Sequence, residues 1–258
     1  MSAVEYLLQH PELPHGRIAV GFTPDEEVGQ GADHFDVEGF GAAYAYTVDG
    51  GEVGELSYEN FNACEATLDF RGVNVHPGSA KDTMVNASLL AMEYNAMLPS
   101  AETPRHTEGY EGFFHLEEME GDVAHARLVY IVRDHDAGRF EARRDQLRHI
   151  AKVMNERWGE GAVTLTLRDQ YRNMKEKIAP YPFLIENARA AMRAAGCEPF
   201  DAAVRGGTDG AQLCYRGLPC PNLCTGGFAF HGPFEHIAAE DMELCARMLE
   251  ELICLPRK

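Results

Sequence analysis

Two adjacent acids, Glu26 and Glu27, stand in Thr23-Pro24-Asp25-Glu26-Glu27-Val28-Gly29, just past the apolar run Ile18-Ala19-Val20-Gly21-Phe22. The run reads as a buried strand that Pro24 ends. Neighbouring acids on a loop at a strand end can point different ways. One can bind a metal while the other reaches a water on that metal, which pairs a Lewis acid with a general base. Alone, such a pair is ordinarily a solvated acidic turn. Its chemical reading depends on what lies elsewhere in the chain.

Three further features fall at the ends of apolar segments: Asp49 before Gly50-Gly51, the loop Arg205-Gly206-Gly207-Thr208-Asp209-Gly210, and His231. Each has a plain structural reading. Asp before glycines suits a turn, and a single His can cap or pack. Ligands collect at the carboxyl ends of strands in open α/β sheets. Taken together, these positions supply carboxylates, a general base and an imidazole at one sheet edge. That donor set suits zinc, and less specifically manganese or cobalt.

The elements that must position these groups show two textures. Residues 3–9 read as a helix, 17–22 as a strand, and Ala42 to Val48 as a second strand that runs into Asp49-Gly50-Gly51. From residue 60, Cys64 to Arg71 alternates polar and apolar, the period of a half-exposed antiparallel strand. Helical spacing follows over 85–98 (Val85, Leu89, Leu90, Met92, Met97), then strands at 113–116 and 126–132 joined at Gly121-Asp122. A long amphipathic helix over 140–158 and an alternating stretch at 162–167 complete the order strand, helix, strand, strand, helix, strand. That is the ferredoxin-like pattern. Beyond 173 the first texture returns: a helix over 183–195 closed by Gly196, the glycine-rich loop opening a short helix, an apolar segment at 222–230 and a last helix over about 239–254. The expected fold is therefore α/β. An α/β domain built from 1–59 and 173–258 carries an inserted α+β domain over 60–172.

The bulk composition bounds the partners. The 258 residues are 45% hydrophobic and 25% charged, an ordinary globular mixture. A net charge of -18 argues against nucleic acid and anionic membranes. No apolar run reaches membrane-spanning length, and the first residues lack a basic region followed by an apolar one. A cytoplasmic setting is the expectation. The seven cysteines include no C-x-x-C pair and are expected to be reduced and mostly buried.

Longer motifs carry a resemblance. Phe22 to Gly29, Tyr46-Thr-Val-Asp-Gly-Gly51, Asn74-Val-His-Pro-Gly78, Thr107 to Gly112, Ile131-Val-Arg-Asp134, Arg205 to Ala211 and Gly217 to Asn222 together resemble the peptidase T family. These are tripeptide aminopeptidases among the co-catalytic dizinc metallopeptidases, and the resemblance covers essentially the whole chain. It implies a zinc-peptidase-like catalytic domain with a lid and dimerisation domain at 60–172. It implies a general base at Glu26, metal ligands at Glu27, Asp49 and His231 (with His236 as the alternative to His231), and an oxyanion-stabilising His76. Arg133 and Arg205 would hold the substrate's carboxylate or backbone. Two zinc ions, a short peptide substrate and a homodimer through the lid are implied with them.

One departure stands out. The family places a His-x-Asp ligand motif and a bridging Asp upstream of the Glu-Glu pair, and neither occurs in the 25 residues before Glu26. The expectation is a carboxyl-terminal, partial catalytic domain with part of the ligand set. Beside the tripeptide aminopeptidase stand two other readings: amidohydrolysis of acylated amino acids on the same scaffold, or an inert chain that dimerises through its lid.

Overall fold

The computed structural model describes residues 1–255. The chain divides into two compact units, one of residues 1–60 with 172–258 and the other of residues 61–171.

The first unit opens with α1 (Ser2–Gln9). The chain then runs without a strand to a 3-10 turn at Glu26–Val28. This corrects the expected strand at 17–22. Val20 and Phe22 are 49% and 80% exposed. An apolar run becomes a strand only where a neighbour takes up its backbone N–H and C=O groups. No described strand pairs with this run, and Gly21 instead lies against the ring of Phe35. The short α2 (Val37–Phe40) starts where Asp36 Oδ1 accepts from Gly39 N at 2.8 Å. The second expected strand also shifts: β1 covers Thr47–Gly50, and 42–46 is irregular. β2 follows at Glu55–Asn60.

The second unit holds β3 (Asn62–Arg71), α3 (Ala87–Ala96), β4 (Phe113–Gly121), β5 (His125–Asp134), α4 (Ala137–Trp158) and β6 (Val163–Tyr171). Its sheet has the order β4-β5-β3-β6, antiparallel throughout. That is the ferredoxin-like arrangement expected from the alternation. β3 pairs with β5 without a break from Asn62↔Asp134 to Arg71↔His125. Cys64, Ala66, Leu68 and Phe70 alternate onto the buried face. They meet Leu90 and Tyr94 of α3 and Leu147 and Met154 of α4 in one apolar cluster. Asn86 caps α3 by accepting from Leu89 N, and Asp136 caps α4 by accepting from Arg139 N. Leu89 and Met92 have helical spacing yet face outward. The face of α3 that packs inward is Ala87, Leu90, Ala91 and Tyr94.

The first unit resumes with α5 (Lys175–Ile178), α6 (Pro182–Ala195), β7 (Phe200–Val204), α7 (Asp209–Tyr215), β8 (Asn222–Cys224), β9 (Gly227–Phe228), β10 (His236–Ile237) and α8 (Ala239–Cys254). Gly196 ends α6 at φ 95°, a left-handed cap that glycine adopts without strain. The main sheet has the order β1-β8-β2-β7. β1 and β8 are parallel, β2 and β8 antiparallel, and β2 and β7 parallel. β9 and β10 form a separate antiparallel pair. α6 packs on α8, and α1 rests on α8. Leu56, Leu184, Met192, Leu213, Leu223 and Met248 fill the core. All seven cysteines are free, and six of them are buried. No described helix is long and apolar enough to cross a membrane.

Candidate active site

Asp49 sits one residue before the end of β1. Its place is set by a close approach of backbones. A Cβ on Gly50 would lie 2.8 Å from the Leu223 carbonyl oxygen, so β1 and β8 can run this close only with glycine there. Just past β8, Thr225 Oγ1 donates to the Gly50 carbonyl at 2.7 Å.

The two glutamates sit on a turn closed by its own backbone. Asp25 precedes it at φ 61° and Gly29 follows at φ 73°. Gly29 N donates to the Glu26 carbonyl at 2.7 Å and Gln30 N to the Asp25 carbonyl at 3.0 Å. A left-handed Asp is among the few non-glycine residues such a bend tolerates. α7 fastens the turn from below. Gln212 Nε2 donates to the Gly29 carbonyl at 3.1 Å, and Arg216 donates to the carbonyls of Ala32 and Phe35.

His231 lies between β9 and β10, also at positive φ (61°), as does Ala229 (56°). Its backbone N–H donates to Glu235 Oε2 at 2.8 Å, which fixes the bend. Its ring Nε2 stands 2.9 Å from Glu27 Oε2. The alternative, His236, bonds through Nδ1 to the Phe234 carbonyl and stacks on Phe228. The imidazole beside Glu27 is therefore that of His231.

Glu26 carries the electrostatic signature of the site. Burial pushes its carboxyl up to about 7, and the charges of Asp49, Asp209 and Glu27 push in the same direction against the opposing effect of His231. Asp49 is raised too, first by desolvation, then by Asp209 and Glu27. Four carboxylates thus influence one another here, with a single imidazole among them. Asp209 was not singled out by sequence reasoning, nor were Gln212 and Arg216. The only available signal for Asp209 was its place inside the Arg205–Gly210 motif.

Arg205 follows directly after β7 in the same unit. His76 and Arg133 belong to the other unit. His76 precedes a short 3-10 turn, where its Nδ1 accepts from Gly78 N at 3.1 Å. Arg133, on β5, places its guanidinium over the rings of Phe113 and Tyr171 at 5.9 and 5.8 Å.

Comparison with known proteins gives this arrangement a context. Peptidase T of Clostridium perfringens (strain 13 / Type A) is 53% identical over 253 residues, covering 98% of this chain and 62% of that protein. Over nearly its whole length the chain is similar to peptidase T. It spans about three-fifths of the length of the peptidase T relatives it matches. A peptidase dimerisation domain matches residues 58–161. The crystal structure of aminopeptidase PepT from Bacillus cereus ATCC 10987 superposes with a TM-score of 0.82 at 25% identity, covering 98% of this chain and 67% of that one. The YXEP protein of Bacillus subtilis, described as a dinuclear metal-binding peptidase of the M20 family, shares the fold with a TM-score of 0.68 at 15% identity, covering 98% and 68%.

The peptidase T resemblance implies a metal, and the residues can be tested for it. The donor chemistry suits one: a carboxylate and an imidazole nitrogen already stand 2.9 Å apart, and the carboxyls of the neighbouring acids Glu26 and Asp49 are both raised by burial and by the charges around them. The ligand count is short. Among the described residues, no three His, Cys, Asp or Glu side chains converge closely enough to hold an ion.

Proposed function

We propose that this chain carries the general base and part of the metal-ligand set of a zinc-dependent aminopeptidase acting on tripeptides. The observation that carries the reading is the Glu27–His231 pair with Glu26 beside it. Similarity to peptidase T over 98% of the chain supports the substrate class.

Glu27, Asp49 and His231 are the residues that would hold metal. When bound, zinc polarises a peptide carbonyl and lowers the pKa of water. Glu26 is the proton carrier. Its carboxyl, raised toward neutrality, can take a proton from the attacking water and return it to the leaving amine. Arg133 and Arg205 offer planar forks for a peptide's terminal carboxylate. His76 serves the developing oxyanion. The unit at 61–171 serves as lid and dimerisation domain, and the match to a peptidase dimerisation domain supports a homodimer. The reduced cysteines suit a cytoplasmic setting.

With so few converging ligands, we expect weak zinc binding at a single site, since catalytic zinc ordinarily keeps three protein ligands. Equilibrium dialysis measures this, and tripeptide hydrolysis at saturating zinc measures the chemistry. Expected is slow cleavage confined to peptides with a free amine, abolished in Glu26→Gln with bound zinc retained. Turnover of acylated amino acids in its place would assign the amidohydrolase. A zinc-loaded dimer that turns over neither would be an inert assembly.

A further inference from the structure

Away from the acidic cluster, the first unit brings two thiols together. Cys224 ends β8 and Cys245 lies near the middle of α8. Their Sγ atoms stand 4.0 Å apart, both side chains are buried, and Met248 Sδ lies 3.9 Å from Cys224 Sγ. Helical phase sets this up. Asp241, Cys245 and Met248 recur at the spacings that place side chains on one stripe of a helix. Just past β8, a Cβ on Gly226 would lie 2.7 Å from Asp241 Cβ, so α8 is seated on this stretch of chain one helical turn before Cys245. The other buried thiols are engaged differently. Cys214 bonds to the backbone of Cys220, Cys197 donates to the Met192 carbonyl at 3.1 Å, and Cys64 sits in the core of the other unit.

We infer that Cys224 and Cys245 form a site of reversible oxidation, a thiol pair that hydrogen peroxide converts to a disulfide stapling α8 to β8. The sulfurs must approach by about 2 Å to reach bonding distance, and rotation about χ1 moves a sulfur that far. The Gly54 N–H donates to Cys224 Sγ at 3.4 Å, which favours the thiolate there. That thiolate attacks the peroxide, the O–O bond breaks, hydroxide leaves, and Cys224 becomes a sulfenic acid. Cys245 Sγ then displaces the sulfenic oxygen as water and the S–S bond forms. Two thiols are oxidised and one hydrogen peroxide is reduced, giving one disulfide and two waters. Cys245 keeps 6% exposure at the rim of the pair, and hydrogen peroxide is close to water in size. The chain between the two cysteines carries β9, the turn with His231, and β10. The disulfide closes that stretch into a ring and takes freedom from its unfolded form. The inference needs no metal and stands apart from the function proposed above.

The test uses the 258-residue chain, reduced, freed of reductant and treated with hydrogen peroxide. Digestion without reduction should yield a linked peptide pair joining Cys224 to Cys245. Thiol titration in denaturant should show two of the seven thiols lost. The oxidised chain should melt above the reduced one, and dithiothreitol should reverse all three changes. Cys245→Ala should lose both the linked pair and the rise in melting temperature, whereas Cys197→Ala should keep them. The peptide map of the parent needs no variant, so a substitution that fails to fold leaves the test intact. Seven thiols surviving in the treated parent would overturn the inference, as would a disulfide formed between other cysteines instead. So would a Cys224–Cys245 bond that leaves the melting temperature unchanged or lowers it, or a rise that persists in Cys245→Ala.

Discussion

The two units solve the same problem, one sheet against helices, with different means. In residues 61–171 the strands run nine to ten residues and pair antiparallel, and the central strand β3 buries alternate side chains. Its helices are capped by their own Asn86 and Asp136. In the other unit the strands run two to six residues. Asp49 sits at the end of a strand, Glu26, Glu27 and His231 sit on turns outside the strands, and Asp25, Ala229 and His231 adopt positive φ. Such backbones persist only when surrounding contacts over-determine them. The regular unit holds its shape through layers of apolar side chains. The other holds the loops around its acids and imidazole in place through bonds between side chains and loop backbone.

The largest effect that would probe this contrast lies in the regular unit. Phe70 is fully buried, and its ring sits edge-on to Tyr94 at 5.8 Å. Phe70→Ala should cost about 3–5 kcal/mol, from lost burial plus the cavity left behind. Chemical denaturation should show that loss in the transition that reports residues 61–171. If the two units unfold independently, metal uptake at Glu27 and His231 should survive under conditions where 61–171 is already loosened. A single transition carrying both signals would show that the units share one cooperative fold.

An intermediate effect tests the loop-built unit. Gly31→Ala would drive a Cβ into the Asp209 carboxylate. Overpacking of this kind costs about 1–3 kcal/mol, and the turn bearing Glu26 and Glu27 must give way. Gly16→Ala meets nothing within 4 Å and is the control. Thermal melting should separate the two variants, and metal affinity should fall in Gly31→Ala only. Equal melting temperatures would mean that the turn is free to move away from Asp209, against the picture of a turn fastened to α7.

How much of this was legible in the sequence differs between the units for the same reason. Alternation at Cys64–Arg71 marks a strand whose two partners lie in the same unit, and the observed ferredoxin-like order follows. Ile18–Phe22 carries the composition of a strand but no record of whether a neighbour exists to pair with it. The helical spacing of Leu89 and Met92 is real, yet spacing alone does not say which flank of a wide apolar stripe faces the core. Nothing in spacing brings His231 to Glu27. Only family resemblance joined them before the geometry did. Asp209 escaped because an acid at the first position of a helix is ordinary. What distinguishes it, burial without a donor, exists only in three dimensions.

The smallest expected effect on stability is at the pair on which the chemistry depends. Glu27 and His231 have side chains 75% and 76% exposed. Exposed ion pairs contribute about 0–1 kcal/mol, because water screens them and two side chains must be held still. Glu27→Gln should therefore leave the metal-free melting temperature nearly unchanged. Arg157→Ala in the regular unit removes the pair with Glu93, in which Arg157 is likewise exposed, and should be as mild. The two variants part company when zinc is added. Glu27→Gln loses a charged ligand from a site already short of ligands, so the zinc-induced rise in melting temperature should disappear. Arg157→Ala should show the parent's rise. A zinc response that survives Glu27→Gln would move the metal seat away from the Glu27–His231 pair, toward the remaining acids Asp49 and Glu26.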